Sequence, residues 1–283
     1  MLRIMTMRSN DIPFAVHLTN REDWGIPQRD FQRILKLDSK GSFIAAEGTK
    51  RIGLTTSTSY GKEVAWIGNV VVQGRHRGKH VGQSLVTHAV NYLHKKHVKH
   101  VALYCFDENV EFYKKLGFRK GFAFGRLRRE AKQVERKTHP IISHESLGPS
   151  AILALDRKAF GADRSRLIRE LLRSKVASVV SVAHRDSRAY LLSKHYEDMC
   201  ELGPWVSDHV GLEELNSMLH ESLVGVRGKA AEVSAPLQNA RILRLLNRLD
   251  FRVVRTGHSM YFDEVPRIGA PRAVLALGFL DKG

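Results

Sequence analysis

A nearly continuous apolar run, VAWIGNVVV (Val64–Val72), leads through the turn QGRHRGKH into a long helix, and this junction constrains the chain most. Such a run predicts a strand buried on both faces inside a sheet rather than one with a wet face. The helix that follows repeats Val81, Leu85, Ala89 and Leu93 along one side, an apolar stripe that must pack on that sheet. Upstream, an opening strand is predicted at Leu2–Met7, with short helices near Asp11–Leu18 and Gln28–Leu37. Pro27 suits the first turn of the second helix, where its missing N–H is not needed. SFIAAEGTKRIGLTTSTSY reads as two strands around a glycine-containing turn. Downstream come a strand HVALYCF, a short helix NVEFYKKL and a further strand from Phe118. A meander followed by strand–helix–strand–helix–strand specifies a mixed α/β (α+β) sheet flanked by helices.

The turn carries chemistry. Free backbone N–H groups and the positive end of the helix dipole converge there, which makes an anion site. Gly78 and Gly82 allow close backbone approach, and Arg77 and Lys79 add charge-assisted contacts suited to phosphate. Net charge is +17, unevenly spread: residues 1–140 hold 26 Lys and Arg against 12 Asp and Glu, whereas residues 141–283 hold 20 against 17. The first half therefore handles something anionic, or presents a solvated basic surface. Nucleic acid is possible, but no zinc-finger spacing or aromatic-rich binding motif accompanies the charge. A phosphorylated cofactor also fits.

The most apolar stretch, Val176–Ala183 with serine inside it, is about eight residues, against the ~20 of a membrane span. The N-terminus lacks the long apolar core of a secretory signal. Two cysteines, Cys105 and Cys200, cannot make a disulfide framework or a four-thiolate zinc site, so a reducing, cytoplasmic setting is expected. His94, His97 and His100 are spaced by three, but no acidic ligand is interleaved and His100 begins a strand; no metal is expected.

The run RGKHVG resembles the pyrophosphate loop of the GNAT superfamily of N-acetyltransferases, Q/R-x-x-G-x-G/A, with Arg77 first, Gly82 last and His80 in place of the middle glycine. ENVEFYKKLGF is similar to that superfamily's helix ending in Y-x-K-x-G-F, matched by Tyr113, Lys115, Gly117 and Phe118. The asparagine common seven residues before that tyrosine is Phe106 here. The resemblance covers about residues 1–128. It implies acetyl-CoA as cosubstrate, its pyrophosphate on Arg77, Gly78, Lys79, His80, Val81, Gly82 and Gln83, and its pantetheine arm on a splayed strand end at Val70, Val71 and Val72. It also implies Tyr113 near the sulfur, where a phenol can protonate the departing thiolate. An acceptor amine must lose a proton, and Glu22 and Asp23, beside Trp24, lie in the segment where the superfamily builds its acceptor wall. Glu63 borders the central strand and is a further candidate. Asn69, a lone amide in the apolar strand, either faces the acceptor pocket or is a satisfied core amide.

The second half repeats the first. An ungapped shift of 133 residues sets Tyr113–Arg119 on Leu246–Arg252 and Val72–Gly82 on Trp205–Leu215. Arg77 then corresponds to Val210, Lys79 to Leu212, His80 to Glu213, Gly82 to Leu215 and Tyr113 to Leu246, while Asn239 holds the superfamily's asparagine position. Two carboxylates, Glu213 and Glu214, would repel a pyrophosphate. The expected organisation is an N-terminal transferase domain at 1–128, a basic linker at 129–148 and a degenerate copy at 149–283. The expected activity is transfer of acetyl to a primary amine of a small molecule or protein at one site, in the first domain. A non-catalytic acetyl-CoA sensor or nucleic-acid binder on the same scaffold is the alternative.

Overall fold

The computed structural model describes residues 1–134, 146–226 and 228–283, so most of the linker expected at 129–148 lies outside the described residues. The first half runs β1 (Leu2–Thr6), α1 (Ile12–Asn20), α2 (Gln28–Leu37), β2 (Phe43–Glu47), β3 (Lys50–Tyr60), β4 (Val64–Val72), α3 (Val81–Lys95), β5 (His100–Phe106), α4 (Val110–Lys114) and β6 (Phe118–Arg129). The second runs α5 (Pro149–Phe160), α6 (Ser165–Leu172), β7 (Ala177–His184), β8 (Ser187–His195), β9 (Met199–Asp208), α7 (Leu212–Gly225), β10 (Ala230–Pro236), α8 (Ala240–Arg248), β11 (Arg252–Phe262) and β12 (Val274–Ala276). The two lists match from α1 to β6 and from α5 to β11, as the 133-residue shift requires. Among the described residues, no helix is long and apolar enough to cross a membrane.

The halves share one sheet, in the order β1-β2-β3-β4-β5-β11-β6-β10-β9-β8-β7. The halves exchange strands, β6 of the first for β11 of the second. β11 lies antiparallel to β5, with Gly257 opposite Phe106 and Tyr261 opposite Ala102. β6 lies antiparallel to β10, with Ala231 opposite Arg129 and Pro236 opposite Phe124. The exchanged strands then pair with one another along their length, from Arg252 opposite Arg128 to Phe262 opposite Phe118.

Exchange carries side chains as well as backbone. Met260 of β11 is fully buried among Leu85, Leu103, Tyr113 and Phe118 of the first half. Leu127 of β6 is buried among Ala231, Leu246 and Phe251 of the second. Each such side chain stabilises by roughly 1.5–3 kcal/mol relative to exposure, so neither half completes its core alone. A third cluster joins the halves directly: Tyr60, Val64 and Trp66 pack with Ile152, Leu167, Ile168 and Tyr190. At its polar edge the buried Arg164 guanidinium pairs with Asp156 at 2.8 Å.

Candidate active site

β4 and β5 pair in parallel only from Val64 opposite His100 to Ile67 opposite Leu103, although β4 continues to Val72 and β5 to Phe106. The separation begins at a bulge. Between Leu54 opposite Val71 and Thr56 opposite Gly68, β4 carries one extra residue, and Asn69 there has left-handed backbone, φ 52°. Asparagine tolerates that conformation better than most side chains. Val70, Val71 and Val72 thus lie on a strand end that has left its parallel neighbour, and its backbone groups on that side can pair with an extended ligand.

The turn after β4 delivers α3, whose N-cap is His80 at φ 58°. A left-handed residue there is where the superfamily pattern places glycine; the histidine adopts it, its Nδ1 lying 3.0 Å from Gln83 Oε1. Gly78 also has positive φ, 73°, with open space where a Cβ would stand. The N–H groups of the first helical turn, from Val81, Gly82 and Gln83, therefore face outward without intrahelical partners. The Arg77 Nε donates to the Val72 carbonyl at 3.1 Å and its Nη2 donates to Glu22. One guanidinium ties the strand end to the loop after α1.

Tyr113, on α4, is buried edge-on to Phe112 and Phe118. Burial, and secondarily Cys105, pushes its phenol well above the ordinary value, so it keeps its proton throughout the neutral range. Burial likewise pushes the Cys105 thiol up to about 12.

Glu22 meets the turn after β4 through Arg77. Asp23 follows it with φ 56°, and Trp24 is 41% exposed. Glu63 precedes β4 at the opposite end, roughly 25 Å of extended chain from Val70–Val72, where it pairs with Lys99 at 2.8 Å. Asn69 is a satisfied amide and also a bridge: its Nδ2 donates to Thr56 Oγ1 at 3.0 Å and to Asp281 Oδ2 at 3.2 Å. Asp281 is the residue that sequence reasoning missed. Its segment lies so close to β4 that a Cβ on Gly68 would stand 2.6 Å from the Asp281 Cα. Asp281 pairs at 2.5 Å with Lys282, whose carbonyl accepts from the Tyr60 hydroxyl at 2.6 Å. No local signal in GFLDKG announces this contact, which spans 212 positions.

The corresponding gap in the second half is filled. β9 and β10 pair in parallel only as far as Leu202 opposite Val233. Beyond it β12 takes the vacated edge, Val274 opposite Val206 and Ala276 opposite Trp205, and the Leu277 N–H donates to the Ser234 carbonyl of β10 at 2.7 Å. Val70 stands three residues past the last parallel pair of β4, and Trp205 stands three past that of β9. Asn239 caps its own helix, accepting from the Ile242 N–H at 3.2 Å. Glu214 folds over the start of α7, where a Cβ on Gly211 would lie 3.2 Å from its carboxyl carbon. Leu246, at the place of Tyr113, is fully buried.

Both halves thus carry a parallel strand pair that parts before a glycine-bearing helix start. Family models agree: the acetyltransferase (GNAT) family matches residues 11–118, and an acetyltransferase (GNAT) domain matches residues 152–269. The chain belongs to the GNAT superfamily of acetyltransferases as a tandem-domain member. An uncharacterized N-acetyltransferase from Methanocaldococcus jannaschii is 32% identical over 97 residues; the match spans 31% of this chain and 43% of that relative. Among solved structures, a protein from Pyrococcus horikoshii assigned as an acetyltransferase superposes with TM-score 0.79 at 18% identity, over 100% of this chain and 96% of that one. A tandem GNAT protein from the clavulanic acid biosynthesis pathway superposes with TM-score 0.71 at 12% identity, over 94% and 100%. At these identities the structural likeness concerns the fold.

Proposed function

We propose that the protein transfers acetyl from acetyl-CoA to a primary amine, at one site formed by the first copy, with residues 1–128 and 149–283 as the two copies. One observation carries the reading: among the described residues no strand enters the gap between β4 and β5, whereas the equivalent gap between β9 and β10 is closed by β12. Val70–Val72 would take the pantetheine arm, and Arg77, Lys79 and the N–H groups of Val81–Gln83 the pyrophosphate. An incoming phosphate competes with Glu22 for Arg77. That ion pair is partly exposed and worth at most about 1 kcal/mol, so the exchange is easy.

The amine is the harder problem. An alkylammonium of pKa ~10.4 needs roughly 4.6 kcal/mol to become neutral at pH 7. Glu22, once released by Arg77, and Asp23 are the carboxylates on the loop side; Asp281 stands on the other side of Asn69. The neutral amine then attacks the thioester carbonyl, the C–S bond breaks, Tyr113 gives its proton to the sulfur, and the proton shed by the new amide nitrogen restores the phenol by way of solvent. Two free, buried cysteines suit a reducing cytoplasm.

The test is a panel of primary amines offered with acetyl-CoA, following thiol release, together with calorimetry of acetyl-CoA binding. One site per chain and turnover of an amine are expected. Two equivalent sites would overturn the single-site reading, and tight donor binding without turnover of any amine would favour a sensor.

A further inference from the structure

A cleft of about 530 Å³ opens between α2 and α6, lined by Arg33, Lys36, Arg166, Arg169, Glu170 and Arg173. Five cations and one carboxylate line it, with Arg33 paired to Asp30 behind the wall. Arg166 and Arg169 on α6 and Arg173 at its C-cap, still in helical conformation, stand at spacings of three and four, hence on one face. Both oxygens of Glu170 are already engaged, one 3.5 Å from Arg33 Nε and the other 3.9 Å from Lys36 Nζ. Arg166 spans the cleft to the end of α2, donating to the carbonyls of Lys36 and Leu37 at 3.1 and 3.4 Å. Like charges gathered this closely repel one another, and an oxyanion between them relieves the repulsion. Guanidinium forks match a phosphate edge on, which ammonium groups do not.

The cleft is wired to the acceptor side of the site. Arg33, only 7% exposed, pairs with Asp30. Asp30 accepts from the Tyr196 hydroxyl at 3.3 Å and lies in the field of Lys282 and Lys194. Lys282 pairs with Asp281, and Asp281 contacts Asn69 at the bulge of β4. The cations of the donor turn, Arg77 and Lys79, are not part of this chain.

We propose that the cleft between α2 and α6 is a second phosphate-binding site, separate from the donor turn, and that it anchors the phosphate of a phosphorylated amine acceptor. This rests on the reading of the first copy as an amine acetyltransferase. It also accounts for a basic enzyme handling an amine: the acceptor is held by its anionic end, so its ammonium need not be attracted by the surface.

The experiment uses the full-length chain saturated with CoA, so that the donor turn is occupied, titrated calorimetrically with inorganic pyrophosphate and then with O-phosphoethanolamine and ethanolamine. Pyrophosphate should bind, and the phosphorylated amine should bind at least tenfold tighter than its parent. Arg169→Glu combined with Arg173→Glu should weaken both phosphorylated probes at least tenfold while leaving CoA affinity and the circular dichroism spectrum unchanged. The same titrations on the Arg77→Glu protein, with its donor turn disabled, should give wild-type affinities for those probes. Loss of pyrophosphate binding on CoA saturation, or an unaltered affinity in the double variant, would overturn the site. Equal affinity for the two amines would overturn the acceptor assignment. Acetyl-CoA binding and thiol release are read separately, so failure of the transferase reading is distinct from failure of the cleft.

Discussion

Phe124 and Gly257, 133 residues apart, stand directly opposite one another across the β6–β11 ladder. The offset that relates the two copies in sequence therefore closes on itself at this pair, as it must where a pseudo-twofold axis crosses the sheet. Glycine is required on one side. A Cβ on residue 257 would lie 2.8 Å from the Phe124 Cζ and 3.0 Å from the Phe106 Cα. Gly257→Val should lower stability by about 1–3 kcal/mol, through overpacking against backbone that cannot yield. Denaturant unfolding should show this as one cooperative transition, because the strand belongs to both halves; a separate unfolding step for one half would contradict the shared core.

A fragment of residues 1–137 should not behave as an independent domain. It would leave the β5 edge without β11 and would keep β6 without either neighbour, exposing strand edges that pair with other chains. Size-exclusion chromatography with light scattering should find aggregates or exchanged dimers. A monodisperse monomer that binds acetyl-CoA would show the exchange to be dispensable.

Arg77→Glu replaces an attractive charge by a repulsive one at the donor turn and also sets two carboxylates against each other, since Arg77 pairs with Glu22. Acetyl-CoA affinity should fall by at least tenfold in calorimetry. An unchanged dissociation constant would remove the turn from the donor site.

Tyr113→Phe removes a hydroxyl from a buried ring and leaves its packing against Phe112 and Phe118 in place. Turnover should fall by about 10²-fold or more with little change in donor affinity, because the proton is needed as the C–S bond breaks. Full turnover in this variant would make Tyr113 a packing residue.

Asp30 supplies the pH dependence. Its burial opposes ionisation, but Lys282, Lys194 and Arg33 outweigh that and hold its carboxyl below the ordinary value. The folded pKa being depressed, its contribution to stability is complete above the unfolded value of about 3.9 and fades as pH falls through that value toward the folded one. Asp30→Asn should flatten the stability curve below about pH 5 in denaturant titrations, where the native protein loses stability steadily. An identical acid limb in both proteins would remove Asp30 from the network.

Much of this was legible from the order of residues. The apolar run at Val64–Val72, the stripe on α3, the turn at Arg77–Gln83 and the duplicate 133 positions on are local patterns, set by side-chain period and backbone preference within one or two elements. The strand exchange was not legible, because β6 and β11 descend from the same element and either can pair with β5 or β10 by pattern alone. Nor could position in the chain reveal that Asp281 meets Asn69, that β12 closes the gap between β9 and β10, or that α2 and α6 bring five cations around one cleft.

By itself, then, the amino-acid sequence determined which segments are strands and helices and that they form a GNAT scaffold twice. Tertiary structure alone decided that the copies share one sheet, and that β12 fills the gap between β9 and β10 while no strand among the described residues enters the one between β4 and β5. The division has a physical reason. Local periodicity and turn chemistry act over a few residues, whereas pairing between distant strands is chosen by which arrangement leaves the fewest edges and the least apolar surface in water.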